Sequence, residues 1–273
     1  MDMEDLRSRG LVLLGCGKMG SAMLAGWLQA GLPPASVTVL DPAPSDWLKD
    51  LAAKGLRLNA AMSESPAIVL VAVKPQMMAD ALPALKALGG GRTLFISVAA
   101  GTAIRYFEDV LGADTPVIRA MPNTPAAIAR GITAITGNHH ASAAHLDLAE
   151  TLLKAVGQVV RLDGEHQMDA VTAVSGSGPA YVFHLIETLA AAGEAEGLPA
   201  ELAMTLAKAT VAGAGALAEA AAEDPAQLRI NVTSPGGTTA AALNVLMDED
   251  AGFPPLLKRA VHAAAERGRE LGQ

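Results

Sequence analysis

The feature that most constrains the fold is a glycine pattern that directly follows the first strand-like run. The apolar run Leu11–Leu14 leads into Gly15-Cys16-Gly17-Lys18-Met19-Gly20, and a helical pattern continues to Ala30. In such a strand-turn-helix, Gly15 permits the tight turn, Gly17 lets a ligand approach the backbone, and Gly20 lets the helix pack on the strand. The helix N-terminus then faces a dinucleotide pyrophosphate. The pattern predicts a nucleotide-binding turn, and the alternative is an ordinary tight turn with nothing bound.

Short apolar runs alternate with helical patterns through the first half of the chain. Near-continuous apolar strands separated by helices are typical of a parallel sheet that is covered on both faces. We therefore expect an α/β fold with an N-terminal doubly wound sheet. The predicted strands are residues 11–14, 37–40, 67–73, 93–98, 117–120, 132–136 and 159–162, with early helices to residue 30 and over 46–54.

The pattern changes near Asp163-Gly164, after which the sequence is Ala-rich and all-α. We place a domain boundary there, which gives domains 1–163 and 164–273. The composition of the second domain suits an oligomerisation unit and equally permits a monomeric bundle. Its predicted helices are residues 178–196, 200–222, 238–247 and 254–271, with breaks at 197–199 and at Asp224-Pro225.

Composition narrows the class of partner. The chain has 20 Lys and Arg against 28 Asp and Glu, a net charge of −8, and no basic cluster, which argues against a nucleic-acid partner. No apolar run approaches the roughly 18 residues that span a bilayer, and the acidic N-terminus is unlike a signal peptide. We expect a cytoplasmic protein with no membrane partner. A single cysteine and six histidines without zinc-site spacing predict no bound metal.

Other candidate ligand residues follow the predicted strands. Asp41 lies 21 residues after Gly20, where an acidic side chain can accept a hydrogen bond from the adenosine ribose 2′-hydroxyl. Such a carboxylate repels a 2′-phosphate and favours NAD; the alternative is a surface Asp that starts a turn. Lys74 faces a phosphate or a substrate carboxylate, or is a solvated loop lysine.

Two glycine-rich segments precede helices in the second half. The run Asn231-Val232-Thr233-Ser234-Pro235-Gly236-Gly237-Thr238-Thr239 concentrates hydroxyls and backbone N–H groups, which suits a small carboxylate. Its alternative is a capping loop with nothing bound. The run Ser175-Gly176-Ser177-Gly178-Pro179 fits a flexible helix start with proline in the first turn.

As a set, these motifs resemble the Δ1-pyrroline-5-carboxylate reductase family. They occur in the family's order and cover the chain from about residue 11 to residue 271. The motifs that carry the resemblance are Ala72-Val73-Lys74-Pro75, Ser97-Val98-Ala99-Ala100-Gly101, Met121-Pro122-Asn123-Thr124-Pro125, Asp169-Ala170-Val171-Thr172 with Ser175-Gly176-Ser177-Gly178-Pro179-Ala180-Tyr181, and the run from Asn231 to Thr239.

The resemblance implies a Rossmann domain followed by a helical domain that forms a homodimer through interleaved helices and assembles further into decamers. It implies hydride transfer from NADPH or NADH to the cyclic imine 1-pyrroline-5-carboxylate, which gives L-proline in the last step of proline biosynthesis. Which subunit contributes each loop, and which imine is used in the cell, stay open.

The resemblance also implies roles for individual residues. Thr239 would be the catalytic residue, hydrogen-bonded to the ring nitrogen. The substrate would contact Glu165, Ser234, Gly236, Gly237, Thr238 and Thr239. The cofactor would contact Leu14, Gly15, Cys16, Gly17, Lys18, Met19, Asn59, Ala72, Val73, Lys74, Pro75, Val98, Ala99, Ala100 and Asn231, and Asp41 joins this set from the strand-end argument above.

The chain departs from the family at two positions. Family members often prefer NADPH and have small polar residues or Ser/Arg after the second strand, whereas this chain has Asp41. The alternative is that Ser45 or Asn59 serves a 2′-phosphate, which leaves NADH and NADPH both open. Thr238 stands where the family often has Ala, and its extra methyl and hydroxyl bear on selectivity among cyclic imines.

Two other functions compete with the reductase. A dehydrogenase of β-hydroxyacids would need a catalytic lysine on the first long helix of the second domain, and residues 178–192 contain none. A nucleotide-binding regulatory protein would keep the fold without turnover.

Overall fold

The computed structural model describes residues 3–272, and the chain divides into two compact units. The first unit comprises the residues up to Gly176 together with those from Ala265 onward, and the second comprises Ser177–Ala264. A division by compactness need not coincide with a division by function, so the domain boundary between residues 163 and 164 stays a prediction.

The first unit is built on one sheet that contains eight strands among the described residues. The strands are β1 (Leu11–Leu14), β2 (Val37–Leu40), β3 (Arg57–Leu58), β4 (Ile68–Val71), β5 (Leu94–Ser97), β6 (Val117–Met121), β7 (Gly131–Gly137) and β8 (Gly157–Arg161). Their order is β3-β2-β1-β4-β5-β6-β7-β8, and neighbours are parallel except β6 and β7. The doubly wound α/β class is therefore confirmed.

The antiparallel pairing of β6 with β7 is an exception to the expected parallel sheet. A parallel connection needs a crossover of about a dozen or more residues. The segment between Met121 and Gly131 is shorter and contains a 3-10 turn, Thr124–Ile128, so the chain turns back on itself. Strand β3 was missed because two residues, Arg57 and Leu58, are too few to show an alternating pattern.

Helices cover both faces of this sheet. They are α1 (Met3–Arg9), α2 (Lys18–Gln29), α3 (Asp46–Ala53), α4 (Met78–Ala81), α5 (Ile104–Leu111), α6 (Ala143–Leu153) and α7 (Met168–Val171). Leu11 and Leu13 of β1 belong to one buried cluster with Trp27, whereas Val12 and Leu14 belong to another with Phe95. Both faces of β1 are buried, which explains its uninterrupted apolar sequence.

The second unit consists of helices, with no strand among residues 177–264. They are α8 (Gly178–Ala195), α9 (Ala200–Ala220), α10 (Pro225–Asn231), α11 (Thr238–Leu246) and the first part of α12 (Phe253–Leu271). Its buried cluster is small, consisting of Ala190, Ala203 and Ala207. Large apolar side chains instead remain exposed, for example Phe183 at 58% and Val245 at 71%. Such a surface is typical of an interaction face.

Helix α10 corrects the expectation that Asp224-Pro225 only breaks the chain. The Asp224 carboxylate accepts a hydrogen bond from the backbone N–H of Gln227, at 2.8 Å. Pro225 occupies the first helical position, where its missing N–H costs nothing. The pair therefore begins a helix as well as ending the preceding segment.

Helix α12 has residues in both units. From Ala265 onward it belongs to the first unit, and Ala265 itself is buried. A Cβ atom added to Gly268 would lie 3.2 Å from Oδ1 of Asp169, and one added to Gly101 would lie 3.4 Å from Cβ of Leu271. The last turns of α12 therefore pack closely against α7 and the loop after β5.

Among the described residues, no helix is both long enough and apolar enough to cross a membrane.

We predict that Trp27→Phe destabilises the first unit. The Trp27 indole is buried, and its Nε1–H donates to the backbone oxygen of Leu152 at 2.9 Å, which joins α2 to α6. Loss of this bond and of ring volume should lower the free energy of unfolding by about 2 kcal/mol. Urea denaturation at a fixed protein concentration measures it. The control, Trp47→Phe, changes an exposed ring and should stay within about 0.5 kcal/mol; equal effects would contradict the prediction.

Candidate active site

The loop after β1 is pressed against the loop after β4. Gly15 has φ of +86°, a left-handed conformation that favours glycine. A Cβ atom on Gly15 would lie 2.9 Å from Cγ1 of Val73 and 3.0 Å from the backbone oxygen of Ala72. The Gly15 N–H donates to the carbonyl of Leu40 at 2.8 Å. Gly15 therefore ties together the ends of β1, β2 and β4.

Gly17 and Gly20 stand in opposite surroundings. Gly17 precedes α2, has an ordinary extended conformation, and forms no side-chain cap. A Cβ atom on Gly17 would meet no atom within 4 Å, whereas one on Gly20 would lie 2.5 Å from the carbonyl oxygen of Gly15. The backbone is thus open beside Gly17, at the start of α2, while the helix packs tightly on the loop at Gly20.

The Asp41 carboxylate connects the glycine loop to the end of β2. Its Oδ2 accepts the backbone N–H of Cys16 at 2.7 Å, and its Oδ1 accepts that of Ala43 at 2.8 Å. Asn59, at φ of +49°, pairs with the Asp41 backbone in both directions, donating from Nδ2 and accepting at Oδ1, each at 2.9 Å. Asp41 and Asn59 therefore fix the shape of the predicted adenosine side of the site.

The Cys16 thiol is not a nucleophile. Burial raises the pKa of Cys16 to about 12, and the Asp41 charge adds to the rise. The thiol is protonated at neutral pH, so the contribution of Cys16 to this loop is its backbone N–H.

The loops after β4 and β5 complete this edge of the sheet. Lys74 is exposed and, within residues 3–272, its ammonium group forms no hydrogen bond or ion pair. Val98 donates its N–H to the carbonyl of Val71 at 3.0 Å, and the Ser97 hydroxyl accepts the N–H of Ala99 at 3.3 Å. The structure therefore brings the predicted cofactor residues of the first unit to one edge; they are Leu14 to Met19, Asp41, Asn59, Ala72 to Pro75 and Val98 to Ala100.

Glu165 lies in a charged cluster of the first unit that sequence reasoning did not assemble. Its Oε1 accepts a hydrogen bond from Nη1 of Arg119 at 2.8 Å and another from the backbone N–H of Ile104 at 2.9 Å. Sequence reasoning missed Arg119. The available signal was a single charge within the apolar run of β6.

The serine-glycine run continues the helical path rather than forming a flexible start. Thr172–Gly176 is a π-helical turn between α7 and α8, and such turns are frequent at functional sites. The Thr172 hydroxyl donates to the carbonyl of Met168 at 2.9 Å. A Cβ atom on Gly176 would lie 2.5 Å from Cε of Met121, so this turn packs closely against the end of β6.

The remaining predicted residues lie in the second unit, at the end of α10 and in the segment that leads into α11. Gly237 precedes the helix without a side-chain cap, and Thr238 and Thr239 are its first two residues. Gly236 has φ of +68°, and a Cβ atom on Gly237 would collide with Oγ of Ser234. Asn231 ends α10, and its Oδ1 accepts a bond from Nε2 of Gln227 at 2.8 Å. The first turn of α11 therefore contains uncapped backbone N–H groups and two hydroxyl-bearing residues.

Across residues 3–272, no group of three or more His, Cys, Asp or Glu side chains is placed to hold a metal ion.

Two family models match the chain. The model described as pyrroline-5-carboxylate reductase dimerisation matches residues 165–271. The model described as NADP oxidoreductase, coenzyme F420-dependent, matches residues 11–101.

Full-length similarity links the chain to named proteins. A pyrroline-5-carboxylate reductase of Pseudomonas aeruginosa is 38% identical over 266 residues, which are 96% of this chain and 97% of that protein. The structure of a pyrroline-5-carboxylate reductase from Coxiella burnetii aligns with a TM-score of 0.90 at 32% identity, over 97% of this chain and 99% of that one. A Plasmodium falciparum pyrroline carboxylate reductase with NADP bound aligns with a TM-score of 0.83 at 28% identity, over 98% and 99%.

We predict that alanine at Gly17 and at Gly20 has opposite consequences. Gly20→Ala should destabilise the protein by about 1–3 kcal/mol, because its methyl group meets the Gly15 carbonyl. Gly17→Ala should leave the unfolding midpoint unchanged, since its methyl group enters open space, but should raise the Kd for NADH by about tenfold or more if a pyrophosphate binds there. Urea denaturation and NADH fluorescence titration measure the two effects. Unchanged NADH affinity of Gly17→Ala would contradict the placement of the pyrophosphate.

Proposed function

This chain belongs to the pyrroline-5-carboxylate reductase family, and we propose on that premise how its residues perform the reaction. The enzyme reduces 1-pyrroline-5-carboxylate to L-proline, the last step of proline biosynthesis, with a hydride supplied by bound NADH or NADPH. One observation carries the proposal. Both α2 and α11 begin behind a glycine and lack a side-chain cap, so each unit presents unpaired helix N–H groups of the kind that bind anions.

The start of α2 fits a dinucleotide pyrophosphate. The open space at Gly17 admits a phosphate against the backbone, and the N-terminus of α2 favours its negative charge. Lys18 and Met19 form the first turn that would surround it. Lys74 is the exposed cation at the end of β4 and would contribute attraction for the phosphates.

The Asp41 side of the site would take the adenosine ribose. The Asp41 carboxylate is held by two backbone N–H groups, and an oxygen with remaining lone pairs can accept the ribose 2′-hydroxyl. A 2′-phosphate would face this fixed negative charge. We therefore propose that this enzyme uses NADH in preference to NADPH. Ala72 to Pro75, Val98 to Ala100, Asn59 and Asn231 would complete the cofactor contacts.

The start of α11 would hold the imine. The substrate carboxylate would accept hydrogen bonds from backbone N–H groups between Ser234 and Thr238. The N-terminus of α11 would further stabilise its negative charge. Gly236 and Gly237 let this backbone turn without side chains in the way. Glu165 and Thr238 would be further substrate contacts.

Thr239 would orient the reacting group. A protonated cyclic imine is already an electrophile, so the chain's main tasks are to fix C5, to bind the carboxylate and to exclude water. The hydroxyl oxygen of Thr239 would accept the N–H of the protonated imine. As the C=N bond is reduced, its π electrons become the nitrogen lone pair, and the nitrogen keeps its proton in the secondary amine.

The chain forms a homo-oligomer through the region matched by the dimerisation model, residues 165–271. We propose a homodimer that assembles further into decamers, located in the cytoplasm. The exposed apolar side chains of α8, α9 and α11 support self-association. The start of the matched region at residue 165 supports the division into a nucleotide-binding domain, 1–163, and a helical substrate and dimerisation domain, 164–273.

We expect Asp41→Asn to change cofactor preference. Wild-type enzyme should give a higher kcat/KM with NADH than with NADPH. Asn keeps one oxygen, which can accept one of the two backbone N–H groups, and it removes the charge. The ratio should therefore move toward NADPH by about tenfold, the effect of roughly 1.4 kcal/mol of charge repulsion. Parallel steady-state oxidation of NADH and NADPH with pyrroline-5-carboxylate measures both ratios. A wild type that prefers NADPH would refute the role given to Asp41.

We expect Thr239→Ala to lower kcat/KM for the imine by about 10²-fold, as for loss of one oriented hydrogen bond in a transition state. NADH affinity should be unchanged, and Thr239→Ser should recover part of the turnover. The matched control is Thr205→Ala, because the one hydrogen bond of the Thr205 hydroxyl to a described residue is that to the Glu201 carbonyl within α9. Full activity of Thr239→Ala would exclude the proposed catalytic role.

A further inference from the structure

Arg119 carries a charge inside the sheet. It lies at the middle of β6, and only 7% of its surface is exposed. Its strand neighbours are Ser97 on β5 and Thr136 on β7, both buried. A buried charge is costly unless it is paired and hydrogen-bonded. Ser97, Arg119 and Thr136 thus form a row of buried polar residues across three strands, and the charge of Arg119 needs a partner there.

The partner of Arg119 is Glu165, which also completes a helix that cannot cap itself. Helix α5 begins after Ala103, a residue with no side-chain acceptor. Oε1 of Glu165 supplies the acceptor for the first helical N–H, that of Ile104, while it holds the Arg119 guanidinium. The carboxylate is thus stabilised by a full charge and by a helix N-terminus.

One oxygen of the Glu165 carboxylate, Oε2, remains available to a ligand. Both hydrogen bonds of Glu165 end on Oε1, and within residues 3–272 no donor contacts Oε2. The side chain is 32% exposed, so the fixed carboxylate keeps access to solvent. Arg119 and Ile104 therefore determine the direction in which the remaining oxygen can meet a ligand.

The same contacts fix the loop that leads into α5. Val98 to Ala100 precede this helix by a few residues, and they are proposed cofactor contacts. Anchoring the N–H of Ile104 to Glu165 limits the movement of that loop. A single carboxylate therefore couples the loop after β5 to the arginine of β6.

A contribution to stability alone would not require these charges. Replacing a buried ion pair by apolar residues of similar size is often neutral or stabilising, whereas removing one partner is strongly destabilising. Fixing the direction of the Glu165 carboxylate through the Arg119 guanidinium does require both charges.

We propose that Arg119 is a positioning residue of the reductase, acting through Glu165. It orients the carboxylate so that Oε2 meets the substrate, and it holds the start of α5 and hence the loop from Val98 to Ala100. The proposal rests on the proposed function for the identity of the substrate.

The test compares Arg119→Met, Glu165→Gln, their double variant and Arg119→Lys. Arg119→Met and Glu165→Gln should each lower kcat/KM for pyrroline-5-carboxylate by about tenfold or more. Their effects should not be additive in the double variant, because both remove the same arrangement. Arg119→Lys keeps the charge and should recover part of the turnover.

Stability separates positioning from folding. Arg119→Met leaves the Glu165 charge unpaired and should lower the Tm, whereas the double variant removes that charge and should restore the Tm toward wild type without restoring kcat/KM. Hydrogen-deuterium exchange of the cofactor-free protein adds an independent measurement. The amide of Ile104 should exchange faster in Arg119→Met than in wild type.

Two results would overturn the proposal. One is a double variant with kcat/KM within about twofold of wild type, since the pair would then serve only stability. The other is a Glu165→Gln variant with wild-type kinetics beside an impaired Arg119→Met. Wild-type protein that binds NADH without reducing the imine would instead refute the proposed function, and amide exchange at Ile104 would still test the anchoring of α5.

Discussion

The common register of the parallel strands is the constraint on which the candidate site depends. Leu14 of β1 pairs with Leu40 of β2 and with Val71 of β4, and Val71 pairs in turn with Ser97 of β5. The four strands therefore end at the same level, and the loops that follow them meet at one edge of the sheet. Slipping one strand by a residue would exchange its two buried faces and separate these loops.

Carboxylates join loops at this edge in two places. Asp41 receives N–H groups from the glycine loop and from the turn after β2. Glu165 receives the first N–H of α5 and the guanidinium of Arg119. In both cases a side chain satisfies backbone donors that regular hydrogen bonding leaves unpaired. Each of these carboxylates, proposed above to bind a ligand, is thus also part of the local architecture.

Local patterns in the sequence were sufficient for the glycine turn, the main strands and the long helices, because each depends on nearby residues. Glycine spacing identified the three different positions of Gly15, Gly17 and Gly20. The direction of β7, the pairing of Asn59 with Asp41, and the pairing of Arg119 with Glu165 depend instead on contacts between distant segments. A single sequence contains no periodicity that reports such contacts, so these features required the fold.

The discontinuous first unit has a consequence for folding during translation. Because the ribosome synthesises the chain from its N-terminus, the whole sheet emerges before the last turns of α12. Those turns pack beside Gly101 and Asp169. The surface that these turns cover stays bare while the helical unit is being translated. A nascent chain therefore exposes this surface until α12 is complete, and a chain truncated after Gly176 would lack the turns that cover it.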